Sequence, residues 1–441
     1  MNTKKLFNDN WVFTKQALHT SLDSMKTKDI NWQPVSLPHD WLIYDTNNLY
    51  ETGDGWYRKE FQVDKSDGRR RAIRFEGVYM DSKVFVNGEL AGVWKYGYST
   101  FEFDITDLLV NGNNEIMVQV SYQSPNSRWY SGAGIYRNVW LKTYPETHII
   151  SDGIYIAPKK EDKGWIVNID TEVMVASDVE SSSNIKVKHE IIDKDDRKVA
   201  FSTSDTSVND FDKVNSQVIL VTDPNLWDLD NPYLYKLKTE LYLDDQLIGQ
   251  EIQNFGFRTL EFTRNDGFFI NGKHMKLYGV CQHHDLGALG SAVNKSALRR
   301  QMSILKEMGV NSIRTAHNMP AVELMELADE MGMLIQSESF DMWERPKTKY
   351  DYGNYFNEWV DKDVASWIRR DRNHPSVIMW CIGNEVYDTH AGERGQELTK
   401  MLMDMVHEHD YHGNAPVTLG SNYMPWENTQ KCADIIKLIG Y

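Results

Sequence analysis

The pattern of apolar and polar positions changes period along this chain. Up to about residue 260 short segments alternate with a period of two, which predicts half-buried β-strands. Phe101-Glu102-Phe103-Asp104-Ile105 alternates in this way, as do Trp165–Ile169 and Ile185–Ile191. Lys83–Trp94 sets Asn87-Gly88 between two β-prone runs and predicts a hairpin. Asp193–Lys198 reads as a charged turn, and Pro224–Trp227 and Asn231–Tyr235 as turns that lead into strands. Many short strands without a long helical period predict a β jelly roll over residues 1–147 and an immunoglobulin-like β-sandwich over 148–260.

From about residue 261 strand-like and helix-like segments alternate. The predicted strands are Met275–Val280, Asn311–Thr315, Met333–Gln336, Val377–Ile382, Val417–Leu419 and Asp434–Ile439. Between them lie predicted helices over Lys295–Met308, Ala321–Met331, Trp359–Arg370 and Arg394–Glu408, and a short one near Glu427. Lys295–Met308 carries Leu298, Met302, Leu305 and Met308 at spacings of three and four, the period of a helix packed on one face. Successive strand–helix units imply a parallel sheet. Val377–Ile382 is apolar on both faces, as a strand buried within such a sheet must be. It ends in Gly383-Asn384-Glu385, which puts an amide and a carboxylate just past the C-terminal end of a strand. Carboxylates in that place do general acid and base work on glycosidic bonds.

Composition narrows the function classes. A net charge of −16 argues against nucleic acid and anionic membranes as partners. It also disfavours an acidic polymer as substrate. The 14 Trp and 22 Tyr offer flat faces suited to sugar rings, although most must serve as core. The three cysteines, Cys281, Cys381 and Cys432, lack metal-ligand spacing and give no disulfide framework. Cys281 and Cys381 lie in apolar runs and are expected to be buried thiols. No signal peptide and no membrane-length apolar run is visible, so a cytoplasmic location is the expectation.

The stretch Asn373–Glu385 resembles the acid/base signature of glycoside hydrolase family 2, the family of β-galactosidases, β-glucuronidases and β-mannosidases. Leu37–Trp41, Gly55–Lys59 and Gly132–Val139, in that order, resemble the family's sugar-binding domain, and Phe255–Thr259 its junction to the catalytic barrel. The resemblance implies three domains: a jelly-roll sugar-binding domain over 1–147, the immunoglobulin-like sandwich over 148–260, and a (β/α)8 TIM barrel from 261. Six strands are counted, and residues 261–441 are fewer than the roughly 250 of a full barrel, so a TIM barrel truncated after about six strands is expected.

The resemblance also assigns roles. Glu385 is the general acid and base. Asn384 contacts a sugar hydroxyl; His283 and Asp285, at the end of the first barrel strand, and His317, at the end of the second, are further substrate contacts. Arg314 and Glu338 support the site, and Trp343 forms a wall for the sugar. His284 stands where the family usually has another residue. Adjacent histidines in a strand face opposite ways, so His283 and His284 do not share a metal. In the magnesium-dependent β-galactosidases the region after the third strand supplies metal ligands; here Met342 and its neighbours hold those places, and neither metal nor cofactor is expected. The nucleophile of a retaining enzyme follows the seventh strand in this family and is expected beyond residue 441. The 441-residue chain alone is therefore expected to be inactive, and ordered because it belongs to a longer polypeptide or because a second copy, in a homo-oligomer, covers its open edges. A terminal β-galactoside is the first choice of substrate, because Ser127–Gly134 and Cys281–Gly287 look like that branch. A β-glucuronidase, or a non-catalytic carbohydrate-binding fragment, is the alternative.

Overall fold

The structure, a computed structural model, describes residues 2–27, 29–390 and 392–440. The first domain is an antiparallel sandwich of two sheets. One runs in the order β3 (Gln33–Val35), β2 (Trp11–Gln16), β4 (Gly53–Val63), β9 (Gly112–Tyr122), β6 (Ser82–Val86) and β7 (Glu89–Trp94). The other runs β1 (Thr3–Leu6), β10 (Val139–Tyr144), β5 (Arg70–Phe75) and β8 (Phe101–Asp104). A six-residue helix, α1 (Leu22–Thr27), follows β2. The hairpin β6–β7 turns at Asn87 and Gly88, both at positive φ (51° and 85°), the conformation that Asn-Gly turns supply.

The second domain has seven strands in two sheets, β11 (His148–Glu161), β12 (Gly164–Met174) and β15 (Val214–Val221) against β14 (Lys198–Ser207), β13 (Asn184–Ile192), β16 (Tyr235–Leu243) and β17 (Gln246–Phe255). Ile185, Val187 and Ile191 pack with Leu237 and Leu241 of the neighbouring strand and Trp165 of the other sheet in a core of its own, so the period-two pattern has its usual cause. Arg258, just after β17, reaches into the next domain. Its guanidinium donates to the carbonyls of Pro375 (2.7 Å) and Val377 (2.8 Å).

A small sheet of β18 (Leu260–Thr263), β19 (Gly267–Ile270) and β20 (Lys273–Met275) comes next. Then β21 (Gly279–Gln282), β22 (Ser312–Thr315), β23 (Leu334–Glu338), β24 (Val377–Asn384), β25 (Val417–Gly420) and β26 (Ile439–Gly440) lie side by side in sequence order, all parallel. Between them run α2 (Lys295–Glu307), α3 (Val322–Met331), α4 (Phe356–Asp371), α5 (Glu393–His409) and α6 (Glu427–Ile436). This is an open, six-stranded part of a TIM barrel. Every residue of β24 is buried, as its two-sided apolar pattern requires.

Three expectations need correction. The strand expected at Met275–Val280 is two elements. Asn271 and Gly272, both at positive φ, fold β20 back on β19, and the barrel strand starts only at Gly279. Asp434–Ile439 is mostly not strand. Thr429, Cys432 and Ile436 are buried at spacings of three and four, so the helical period prevails to Ile436, and only Ile439–Gly440 pairs with β25. Cys281 is exposed, because β21 is an edge of the open sheet; Cys381 and Cys432 are buried.

Candidate active site

The ends of β22, β23 and β24 bring the predicted residues together. Glu338, the last residue of β23, is fully buried. It accepts from Arg314 Nε (2.5 Å) and lies 2.6 Å from His317 Nδ1. Arg314 Nη2 also donates to Asn384 Oδ1 (2.9 Å). Burial opposes the charge of Arg314, but the Glu338 carboxylate outweighs it and raises the guanidinium above its ordinary value. One arginine thus fixes both a buried carboxylate and the amide beside Glu385.

Asn384 is held from its other side as well. Its Nδ2 donates to Asp341 Oδ1 (2.8 Å), and its carbonyl accepts from Lys347 Nζ (2.7 Å). Asp341 also receives Arg128 (3.0 Å from Nε) and Lys347 (2.9 Å). Burial alone would push Asp341 up, yet Arg128, Lys347 and Asn384 hold it below the usual carboxylate range. Lys347 is pulled below its ordinary value by the same burial, against the attraction of Asp341.

Glu385 follows at φ +46°, a left-handed conformation that a non-glycine residue adopts at a cost. Its N–H donates to Gly420 O (2.7 Å), where the β24–β25 register shifts between Cys381 and Asn384. The carboxylate is half-buried and makes no hydrogen bond among the described residues. Arg128 and Lys347 both feel its charge. Gly383 has a packing reason: a Cβ there would meet Trp343 Nε1 at 2.9 Å.

The first domain supplies part of the site. Asp40, of the Leu37–Trp41 segment, accepts from Tyr130 Oη (2.6 Å), Ala133 N (3.0 Å) and Ser291 N (2.9 Å). A Cβ at Gly132 would lie 2.0 Å from Ser291 Oγ, so only glycine fits this seam. Arg137 is buried and donates to the carbonyl of Tyr98 in its own domain and to those of Met319 and Pro320 across the domain boundary. These contacts lay the segment 128–137 against the barrel mouth. Trp129 then stands 5.0 Å from the His283 ring and 5.7 Å from that of His317, and the two histidines are 5.6 Å apart.

His283 and His284 do face opposite ways. His284 packs between Tyr98 and Tyr136, its Nε2 3.0 Å from Ser131 O, and burial pushes it down to about 4, so it is neutral. His283 is turned to the site; burial lowers it too. Asp285 is half-buried beside them. The expectation for Trp343 needs correction. It is 0% exposed, with its Nε1 donating to Ile382 O (2.9 Å), so it braces Gly383 from beneath and offers no face to a sugar. The aromatic ring at the site is Trp129. Arg128, Asp341 and Lys347 were not singled out from the sequence; the charges Arg128 and Asp341, in segments already marked as strand end and motif, were the available signal. Among the described residues no group of three or more His, Cys, Asp or Glu side chains gathers as a metal cluster. A cleft of about 600 Å³ lies away from these strand ends, between the two β domains and the helices α3 and α4.

Models of three family domains match nearly end to end: "Glycosyl hydrolases family 2, sugar binding domain" over residues 30–145, "Glycosyl hydrolases family 2" over 147–258 and "Glycosyl hydrolases family 2, TIM barrel domain" over 262–438. The β-galactosidase BoGH2A of Bacteroides ovatus is 43% identical over 410 residues, covering 89% of this chain and 48% of that protein. The crystal structure of a glycosyl hydrolase family 2 member from Bacteroides cellulosilyticus superposes with a TM-score of 0.91 at 33% identity, over 99% of this chain and 58% of that one. The β-glucuronidase 2 of Bacteroides uniformis, covalently bound to cyclophellitol-6-carboxylate aziridine, superposes with a TM-score of 0.83 at 25% identity, over 100% of this chain and 55% of that one. The chain spans about half the length of the curated relatives it matches.

Proposed function

We propose a reaction for this chain from the premise that it belongs to glycoside hydrolase family 2. The complete protein is a retaining exo-β-glycosidase that removes terminal β-galactosides. The observation that carries this reading is Glu385: a carboxylate free of hydrogen bonds among the described residues, at the end of β24, beside an amide pinned by Arg314 and Asp341.

In the first step Glu385 gives its proton to the glycosidic oxygen as the C1–O bond breaks. A second carboxylate, about 5–5.5 Å away in a retaining enzyme, forms an ester to C1. The family resemblance expects that carboxylate after a seventh barrel strand, and the parallel sheet described here has six. The aglycone leaves as the neutral alcohol. Water then attacks C1 while Glu385 takes its proton back, and the ester bond breaks with retention. Asn384 has one amide hydrogen left after Asp341, and it can donate to a sugar hydroxyl in the transition state. His283, Asp285 and His317 are the further sugar contacts, with Trp129 in the place first assigned to Trp343.

Support for galactose comes from the 43% identity to a β-galactosidase. A glucuronide is the second reading, favoured by the likeness to a β-glucuronidase. Assay of the complete protein on nitrophenyl β-galactoside and β-glucuronide separates them. Glu385→Gln should cut turnover by orders of magnitude on poor leaving groups and least on activated ones, where azide should trap a β-glycosyl azide. Full activity of Glu385→Gln on poor leaving groups would refute the assignment.

A further inference from the structure

Four aromatic side chains at the open end of the sheet take no part in the chemistry above. Tyr387 and His390 lie on the segment after β24, and Tyr423 and Trp426 on the segment after β25. Tyr423 and Trp426 are stacked, with centroids 4.7 Å apart and an interplanar angle of 25°. His390 stands edge-on to both, at 5.0 and 5.5 Å, and Tyr387 lies 5.9 Å from it. Tyr387, Tyr423 and Trp426 are nonetheless 46%, 51% and 47% exposed. Single exposed aromatics are common and need no account, but a cluster in mutual contact at the end of a sheet that carries chemistry does.

The two segments are tied together and to Glu385. Glu385 N–H donates to Gly420 O (2.7 Å), and His390 Nε2 lies 2.6 Å from Asn422 Oδ1. Tyr423 holds φ +52°, so a bulky residue occupies a left-handed position that glycine or asparagine would fill at less cost.

Direction follows from the strand order. The contacts nominated for the sugar, His283, His317 and Trp129, stand over β21 and β22. Glu385 stands on β24, and the aromatic cluster lies on the far side of it, over β24 and β25. A proton from Glu385 goes to the oxygen that joins sugar and aglycone, so the group beyond that oxygen points toward the cluster. We propose that Tyr423 and Trp426, steadied by His390, form a leaving-group subsite for an aglycone with a flat apolar ring face, either a second pyranose or an arene. Stacking on such a face is what exposed, pre-oriented aromatic rings offer.

The inference rests on the glycosidase reading, and the test separates the two. The complete enzyme and its Trp426→Ala and Tyr423→Ala variants are assayed on three β-galactosides: the glycosyl fluoride, whose leaving group carries no ring, a nitrophenyl galactoside and a galactosyl disaccharide. The ratio of kcat/KM for a ring-bearing substrate to that for the fluoride should fall about tenfold in Trp426→Ala, and Trp426→Phe should keep most of it. A larger fall on the disaccharide assigns the subsite to a sugar, and a larger fall on the nitrophenyl substrate assigns it to an arene. An unchanged ratio, or an equal loss on all three substrates, overturns the subsite while leaving the glycosidase reading in place. No turnover of galactosyl or glucuronosyl fluoride by the parent enzyme overturns both.

Discussion

Replacing Asp341 by alanine tests whether Asn384 is held in place by charge. Asp341 is 1% exposed and accepts from three partners, Arg128, Lys347 and Asn384. The partners fare differently when it is gone. The Arg128 side chain is 42% exposed and can be hydrated, whereas that of Lys347 is 2% exposed and is left as an unpaired buried cation. Removing one partner of a buried pair costs about 3–5 kcal/mol. At ~2–4 °C per kcal/mol for a cooperative unit of about 150–250 residues, the barrel transition should fall by ~6–20 °C in a thermal melt. The Asn384 side chain loses its acceptor at the same time and keeps Arg314 on its Oδ1, while Lys347 still holds its carbonyl. A loosened amide next to the acid should lower kcat by about 10–100-fold in the complete enzyme. The double variant Asp341→Ala/Lys347→Met removes the orphaned cation, so the melt should recover while turnover should not. A melt within 2 °C of the parent, by the ~2 °C per kcal/mol scale, would refute the buried-charge argument. Recovery of turnover together with stability would refute the positioning role of Asp341.

Gly420→Ala should disarm the site from its back. A Cβ there would lie 2.2 Å from Arg314 Nη2, and that guanidinium cannot swing away without breaking its bonds to Glu338 and Asn384. Activity assay should show a loss of ~100-fold, and a variant at parental activity would refute the tightness of this packing. Stability should also fall as pH rises. Asp363 is buried against Ser99 and Trp94, and burial pushes its carboxyl up to about 7, while those hydrogen bonds pull the other way. The folded state thus holds its proton more tightly than the unfolded one, whose carboxyl titrates near ~3.9. The stability is fully present below pH ~4 and is lost as pH climbs to about 7, at up to ~1.4 kcal/mol per unit. Glu323 moves the same way, by burial and the nearby Glu76. Melts at pH 5, 6, 7 and 8 should fall in Tm, and Asp363→Asn should flatten that slope; an equal slope in Asp363→Asn would refute it.

The parts of the fold legible in the sequence are those where one local rule acts alone. Val377–Ile382 is apolar on both faces and can only be an inner strand. Asn87-Gly88 sets the hairpin turn between β6 and β7. Errors came where two rules compete. Asp434–Ile439 carries three isoleucines, good for a strand, yet Thr429, Cys432 and Ile436 share a helical face, and the register of burial prevails. The resemblance makes Trp343 a wall of the site; its partner is instead Gly383, whose missing side chain leaves just the room for that indole. Periodicity says which face a residue shares, not whether a neighbour has covered it.

The candidate site was legible only in part for a related reason: it is built across a domain boundary. Arg128 and Asp341 are 213 positions apart, and no periodicity links them. Two of the segments that resemble the family's first domain, Leu37–Trp41 and Gly132–Val139, make contacts at this boundary. Asp40 and Arg137 spend their hydrogen bonds on fixing residues 128–137 to the barrel. That placement delivers one charge, Arg128, to the aspartate that orients Asn384, and one ring, Trp129, to the two histidines. A barrel of this kind without the jelly roll would therefore lack more than a neighbour. Asp341 would keep only Lys347 and Asn384, and His283 and His317 would lose the aromatic wall that encloses them. The first domain thus brings the consecutive residues Arg128 and Trp129 to the candidate site.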